Sequence, residues 1–212
     1  MHIPDGILPP TAAAVGYVVT GAMTWYSLRQ IRKLPDPEAG VPKAALLTAA
    51  FFVASWIHIP VPPTSVHLVL NGLLGVLLGW YAFPAIVVGL FLQAVMFQHG
   101  GLTTLGVNAA IMGLPALLGY GLFQLRRPLK LNQRWTGVLA FFGGAAGLGM
   151  GALLAFAILI ATIPGYVDAE AERAAIGALT IAHVPVMLIE GAFTALIVLF
   201  LLRVQPAMVS TA

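Results

Sequence analysis

Seven apolar runs, separated by proline, glycine or charged residues, dominate the pattern of hydrophobic and polar positions along the chain. They lie at residues 11–31, 44–59, 66–81, 82–98, 107–125, 136–163 and 176–202. A helix needs about 20 apolar residues to cross the roughly 30 Å hydrocarbon core of a bilayer, and several runs are short for that. The third run carries Gly72, Gly75 and Gly79, which is typical of a tightly packed inner helix. We predict an all-α membrane protein, a polytopic bundle of about seven transmembrane helices forming a single domain over residues 1–212.

The composition agrees with a chain that uses lipid as its solvent. Hydrophobic residues make up 60% and charged residues 8%, and the mean hydropathy is +0.97. The formal net charge of +3 would suit nucleic acid, but the lysines and arginines cluster at the ends of the apolar runs, as bilayer topology requires. We therefore expect no nucleic-acid partner. The chain has no cysteine, so any metal ion would be held by nitrogen or oxygen donors.

The basic residues predict the orientation in the membrane. Nine of the ten flank the first loop, the fifth loop or the end of the last run: Arg29, Arg32, Lys33, Lys43, Arg126, Arg127, Lys130, Arg134 and Arg203. The positive-inside rule assigns them to the cytoplasm, which places the amino terminus outside and the carboxyl terminus in the cytoplasm. A six-helix alternative, which merges the third and fourth runs, would put the two basic clusters on opposite sides, and the same rule disfavours it.

In this topology all five histidines share the outer side with the amino terminus: His2, His58, His67, His99 and His183. A terminal amine followed by His2 can bind a divalent ion through the amine, the deprotonated His2 amide and the imidazole. Nitrogen donors in a square plane suit Ni(II) or Cu(II), and His67, at the outer end of the third run, is the natural fourth donor. Residues 4–6, Pro-Asp-Gly, predict a turn that folds the terminus back into the bundle. The alternative is that His2 is an accident of a flexible end.

Other polar residues fall near the same side or deep in the last run. His99 and Asn108 belong to a polar outer segment, which either lines a cavity behind the metal ligands or is a solvated loop. His183 is a further candidate for a place behind the ligands. Glu190 is an ionisable residue inside an apolar run and therefore a functional candidate. Because it lies roughly 10 Å deeper than His183 along a helix, we expect a packing or hydrogen-bonding role for it.

Three segments resemble a known family of membrane proteins. MHIPDG at 1–6, PPTSVHLVLNGLLG at 62–75 and FQHGGLTTLGVNAAIMG at 97–113 are similar to the substrate-binding membrane component (S component, NikM/CbiM type) of energy-coupling-factor nickel/cobalt transporters. The resemblance covers most of the chain. It implies a metal site made of Met1, His2 and His67, with Ni(II) or Co(II) as the transported substrate and no organic cofactor. The stretch before His67 lacks the cysteine-bearing sequence of cobalt-type members, which favours Ni(II).

The resemblance also implies partners and a location. The partners are a transmembrane coupling subunit and ABC-type ATPase subunits, with a small accessory membrane subunit as a further candidate. The location is the inner membrane of a prokaryotic cell. It implies that the small-residue stripe Ala12, Gly16 and Thr20 docks the coupling subunit, the alternative being packing within the bundle. The sequence has neither a GxxxxGK[ST] phosphate loop nor an HExxH motif, so we expect a transport subunit and not an enzyme. A proton-coupled secondary metal transporter that uses Glu190 is the competing hypothesis.

Overall fold

Helices make up almost all of the fold. The computed structural model describes residues 2–61, 64–165 and 168–210. Its elements in chain order are α1 (Pro10–Ile31), α2 (Val41–Ala54), β1 (His58–Val61), β2 (Thr64–His67), α3 (Asn71–Leu78), α4 (Ala82–Phe97), α5 (Leu105–Gln124), α6 (Gln133–Ala161), α7 (Ala169–Val204) and α8 (Ala207–Ser210). One turn of 3-10 helix, Gly79–Tyr81, joins α3 to α4. Each of the seven predicted runs contains a helix, so the helical class is confirmed.

A two-stranded hairpin interrupts the helices between α2 and α3, where the sequence analysis predicted none. β1 and β2 are antiparallel, and His58 lies opposite His67 in the register. The sequence there has prolines at 60, 62 and 63 and β-branched residues at 59, 61, 64 and 66. Proline opposes a helix and β-branched residues favour extended backbone. The purely α-helical prediction is therefore wrong for this segment, and His67 ends a strand instead of opening a helix.

The third and fourth apolar runs form two antiparallel segments. The chain turns back after α3 at Gly79, whose φ is 58°. Just beyond this turn, the Tyr81 hydroxyl donates to the Pro37 carbonyl in the loop that joins α1 to α2. At the other end of α4, the Phe97 ring packs on Trp56 with 4.7 Å between ring centroids. The fold thus agrees with seven separate segments and not with the merged, six-helix alternative.

Four apolar stretches of the described chain are long and apolar enough to cross a membrane: Asn71–Phe97, Leu105–Gln124, Gln133–Ala161 and Ala169–Val204. The first has 27 residues but contains the reversal at Gly79. Its first part, α3, has only eight residues. α3 begins level with the middle of α5 and α6, since Asn71 Nδ2 donates to Met112 O at 3.0 Å and to Gly147 O at 2.9 Å. α3 is therefore a half-length helix that starts inside the bundle.

Small residues let other helices enclose α3. All eight of its residues are buried. A Cβ atom added at Gly72 would lie 2.5 Å from the Gly144 carbonyl oxygen, and one at Gly75 would overlap the Ala116 carbonyl. The backbone of α3 thus touches the backbones of α5 and α6, which confirms the prediction of a tightly packed inner helix.

The small-residue stripe of α1 also packs inside the bundle. Gly16 lies against Val107 of α5, whose backbone a Cβ at Gly16 would overlap. One turn further on, Thr20 Oγ1 donates to the Gly106 carbonyl at 2.6 Å. Both Gly16 and Thr20 are buried in these contacts, so this part of the stripe serves the α1–α5 interface.

The two ends of the bundle differ in chemistry. His2, His67 and His99 lie together at one end, here termed the histidine end. The loops with the basic clusters lie at the other end, where the carboxyl-terminal segment folds against them: Lys43 Nζ donates to Met208 O at 3.0 Å, and Arg126 Nη2 donates to Val209 O at 2.9 Å. This separation of histidines from basic residues is the one that the predicted topology requires.

Candidate metal site

The start of the chain is held inside the bundle by side chains that precede or belong to α5. The Ile3 N–H donates to Asn108 Oδ1 at 2.9 Å, and Asn108 Nδ2 donates back to the Ile3 carbonyl at 3.0 Å. Thr104 Oγ1 donates to the same carbonyl at 2.7 Å. The Asp5 carboxylate accepts bonds from the Thr103 N–H at 2.9 Å and from its hydroxyl at 2.5 Å. These bonds, termed the amino-terminal clamp, fix His2 beside α4 and α5. The predicted turn is confirmed at Asp5 and Gly6.

The clamp places His2 in a cluster of three imidazoles. His2, His67 and His99 each offer one nitrogen, and these nitrogens lie within 4.8 Å of one another. The ring centroids are 5.0 Å apart for His2 and His67, 4.1 Å for His2 and His99, and 5.1 Å for His67 and His99. The three residues come from the chain start, the end of β2 and the loop after α4, so only the folded bundle assembles them.

Two residues with positive φ aim His99 at the cluster. Gln98, the residue that follows α4, has a φ of 53°, and Gly100 has a φ of 87°. Glycine is the residue that adopts such a backbone without strain. A side chain at Gly100 would also meet its neighbours, because a Cβ there would lie 3.2 Å from Asn108 Nδ2 and 3.4 Å from His2 Cδ2. The loop is thus shaped to pack against the His2 ring.

A chain of hydrogen bonds sets the tautomer of His2. The Ser55 hydroxyl donates to the Phe52 carbonyl at 2.8 Å, and therefore accepts from Gln93 Nε2 at 3.1 Å. This orients the Gln93 amide with Oε1 toward His2 Nε2, 2.8 Å away. An amide oxygen only accepts, so His2 Nε2 carries the proton and Nδ1 is left with its lone pair.

The tautomer of His67 is set in the same way, and the two lone pairs face each other. His67 Nδ1 donates to the Leu68 carbonyl at 2.9 Å, which leaves Nε2 unprotonated in the neutral ring. His67 Nε2 and His2 Nδ1 are 3.2 Å apart. Two nitrogens bound at right angles to one ion, at about 2.0 Å each, lie about 2.8 Å apart. The spacing therefore suits two adjacent ligands of a single metal ion.

The electrostatic environment keeps His2 neutral. Burial lowers the pKa of His2 well below its usual value of 6.5, and the charge of the amino terminus and then the neighbouring His67 and His99 rings lower it further. Neutral imidazole is the form that binds a metal ion. The carboxylate nearest in sequence, Asp5, is occupied by the clamp, and hydrogen bonds from Thr103 lower its pKa. The cluster itself consists of nitrogen donors.

Not all residues singled out from the sequence meet at this cluster. Met1 lies outside the described residues. His2, His67, His99 and Asn108 are brought together. His183 lies in α7, where its Nδ1 bonds the Leu179 carbonyl at 2.8 Å and its ring lines a cavity between α6 and α7. Glu190 contacts the backbone just before α3. His58, predicted at the end of the second helix, opens β1.

Gln93 and the Asp5–Thr103 contact were not predicted from the sequence. Gln93 is the only polar side chain in the sequence of α4, AFPAIVVGLFLQAVMF. An isolated amide in an apolar helix must find a hydrogen-bond partner within the protein, and this was the available signal. The Asp5 contact had no comparable signal, because it joins residues 98 positions apart.

Fold and site together define a helical membrane protein with a nitrogen-lined cluster at one end. The chain belongs to the CbiM family, described as the cobalt uptake substrate-specific transmembrane region, whose model matches residues 2–208. It is therefore a multi-pass transition-metal uptake component of the CbiM/NikM type, which is a transport family.

Relatives and a solved structure agree with this assignment. A protein of Haemophilus influenzae, named as a metal transport protein, is 32% identical over 97% of this chain and 95% of its own length. The fused nickel transport protein NikMN of Rhodobacter capsulatus is 35% identical over 73% of this chain, which covers 46% of that protein. The crystal structure of a truncated transition metal transporter matches with a TM-score of 0.82 and 30% identity, over 96% of this chain and 99% of that one.

Proposed function

We propose that this chain is the S component of an energy-coupling-factor transporter, and that it captures Ni(II), or less readily Co(II), through the Met1 amine, His2 and His67. The observation that carries the proposal is the 3.2 Å distance between His2 Nδ1 and His67 Nε2, the two ring nitrogens that carry no proton when Gln93 and Leu68 accept from the other nitrogen of each ring. Without a cation, two such nitrogens repel each other. A metal ion bound to both would turn this repulsion into two coordinate bonds.

The chain start supplies the remaining donors. With Met1 as the first residue of the mature protein, the terminal amine and the His2 amide nitrogen lie in the same short segment as the His2 ring. The amino-terminal clamp fixes that segment through Ile3 and Asp5. Amine, deprotonated amide and two imidazoles make four nitrogen donors, a set that favours a square plane and hence Ni(II).

Residues around these donors orient them. Gln93 fixes the His2 tautomer, and Asn108 fixes the backbone next to His2. His99 packs its ring against both ligand imidazoles and covers one face of the site. Partners of this kind commonly change metal affinity by about 10- to 100-fold. His183 bonds the Leu179 carbonyl within α7, and it is the least supported of the candidates for a place behind the ligands.

The proposal includes a transport cycle driven by partner subunits. The single domain of residues 1–212 sits in the inner membrane of a prokaryote with the histidine end outside and the basic end in the cytoplasm, as the positive-inside rule requires. A coupling subunit and ABC-type ATPases supply the energy, and a small accessory membrane subunit assists at the chain start. A proton-coupled carrier built on Glu190 is less well supported, because both Glu190 oxygens already accept backbone hydrogen bonds.

The test uses protein purified in detergent with its native amino terminus, verified by mass spectrometry. We expect one Ni(II) per chain and the weak d–d absorption band of yellow, low-spin Ni(II). In proteoliposomes, uptake should require the partner subunits and ATP, and should persist with an uncoupler. A high-spin, octahedral Ni(II) spectrum would contradict the four-nitrogen plane. Uptake by this chain alone that an uncoupler abolishes would favour the secondary carrier.

A further inference from the structure

The segment that links His67 to α3 exposes backbone N–H groups inside the bundle. After β2 ends at His67, residues 68–70 lead to α3 outside any regular element. Leu70 has a left-handed backbone with a φ of 58°, which is unusual for a residue other than glycine. Val69 and Leu70 are both buried. Their N–H groups have no helical partner at this position and need acceptors from elsewhere in the protein.

Glu190 supplies those acceptors from α7. The Val69 N–H donates to Glu190 Oε1 by a short hydrogen bond, and the Leu70 N–H donates to Oε2 at 2.9 Å. Glu190 is 1% exposed. The amino-terminal end of a helix such as α3 attracts negative charge, and bonds from N–H groups to a carboxylate are stronger than those between neutral groups. Glu190 thus holds the segment before α3 against α7.

The fastened segment also determines where the His67 ring sits. Val69 is two residues from His67, and the Leu68 carbonyl between them accepts the His67 Nδ1–H bond that leaves Nε2 facing His2. A shift of residues 68–70 would move the His67 backbone and the carbonyl that orients its ring at the same time. Glu190 is therefore connected to the cluster through the short path Glu190, Val69, Leu68, His67.

We propose that Glu190 is a positioning residue for His67, which acts by holding the segment 68–70 and not by binding the metal ion. This inference rests on the proposed function of His67 as a ligand. It gives the buried carboxylate a role in metal affinity and makes the position of α7 a determinant of the site.

The test is a double-mutant cycle on Ni(II) affinity, measured by competition with a chelator on purified protein. Glu190→Gln keeps the shape but replaces one acceptor oxygen with an NH2 group that faces a backbone N–H. We expect it to weaken Ni(II) binding at least tenfold in the wild-type background. In a His67→Ala background, which keeps the donors of the chain start, the same substitution should change affinity less than twofold, because the residue it positions is gone.

Two further variants separate positioning from general stability. Thr194→Val removes a buried hydrogen bond one turn along α7, from Thr194 Oγ1 to the Glu190 carbonyl at 2.7 Å, without touching the segment 68–70. It should lower the melting temperature and leave Ni(II) affinity within twofold. Glu190→Asp retains the carboxylate on a shorter side chain, and serves if Glu190→Gln does not fold. It should bind Ni(II) more weakly than wild type, again only when His67 is present.

The outcomes distinguish this inference from the function on which it rests. Equal losses from Glu190→Gln or Glu190→Asp in both backgrounds would overturn the positioning role while leaving His67 as a ligand. The absorption spectrum adds a second criterion, since the Glu190→Gln spectrum should shift toward that of His67→Ala if His67 is displaced. If His67→Ala binds Ni(II) as tightly as wild type, the proposed ligand set itself is wrong.

Discussion

Replacing Asn108 by alanine should release the chain start from the bundle and weaken metal binding without removing any ligand. Asn108 is 1% exposed and bonds both backbone groups of Ile3. After the substitution, the Ile3 carbonyl still accepts from Thr104 Oγ1. The Ile3 N–H, by contrast, loses the bond to Asn108 Oδ1, and Ile3 is only 2% exposed.

The size of the effect follows from these bonds. Each hydrogen bond contributes about 0.5–1.5 kcal/mol, and a buried donor left without an acceptor costs about 1–3 kcal/mol. The docked form of the segment should therefore lose about 2–4 kcal/mol. Apparent affinity falls in proportion to the docked fraction of the protein. As long as docking stays favourable most molecules remain docked, so only part of this free-energy loss reduces the affinity. We expect Ni(II) affinity to drop roughly 10- to 100-fold, at about 1.4 kcal/mol per decade.

The assay is isothermal titration calorimetry of Ni(II) into purified Asn108→Ala, with Asn132→Ala as the control. Asn132 caps α6 by accepting from the Trp135 N–H at 3.1 Å, at the end of the bundle away from the histidines. Losing such a cap typically costs about 0.5–2 kcal/mol of stability. The control should therefore lower the melting temperature but bind Ni(II) normally. Equal affinity in the two variants would refute the reasoning that the clamp presents the ligands.

Three further predictions address the ligands and their protons. His67→Ala should weaken Ni(II) binding 100-fold or more, about 3 kcal/mol, whereas His183→Ala should leave the affinity measured by calorimetry unchanged. Equal losses of affinity in the two variants would indicate general destabilisation. Gln93→Leu removes the acceptor that fixes the His2 tautomer and should cost about tenfold in the same assay; no change would show that the tautomer does not matter. Between pH 8 and 6.5, Ni(II) binding should release about two protons, from the amine (reference pKa about 7.7–8) and the His2 amide. Because the pKa of His2 is lowered, protons should compete with Ni(II) for its ring only well below pH 6.5. Calorimetry in buffers of different ionisation enthalpy would count the protons released. Affinity that stays flat from pH 7 to 5 would contradict this ligand set.

The helices could be predicted from the sequence because apolar runs bounded by charge, glycine and proline report them directly. The last three runs give α5, α6 and α7 with shifts of a few residues at most of their ends. The hairpin could not be read from hydropathy alone, since an apolar strand and an apolar helix look alike over a short run. The prolines at 60, 62 and 63 were the usable signal.

The candidate site was predictable only in part. The meeting of His2 and His67 followed from their shared side of the membrane and from the family resemblance. The clamp joins residues about 100 positions apart, as in the Ile3–Asn108 pair, and such contacts leave no periodic pattern. His183 is assigned to the same side of the membrane as the other histidines by the sequence. Only the packing of α7 against α6 shows that it faces a cavity between these two helices and not the histidine cluster.

The most direct test of the central claim is to lengthen the chain start by two residues. Two glycines inserted ahead of Met1 move the terminal amine away from the His2 amide. A single glycine would not serve, because the amine, two amides and the imidazole of a histidine third in the chain can themselves form a square plane of nitrogens. The matched control carries the same two glycines after Ala212, and mass spectrometry confirms both termini. We expect Ni(II) affinity to fall at least 100-fold, about 3 kcal/mol, with loss of the low-spin band, in the first protein only. Unchanged affinity and spectrum in the extended protein would contradict a site built on the terminal amine.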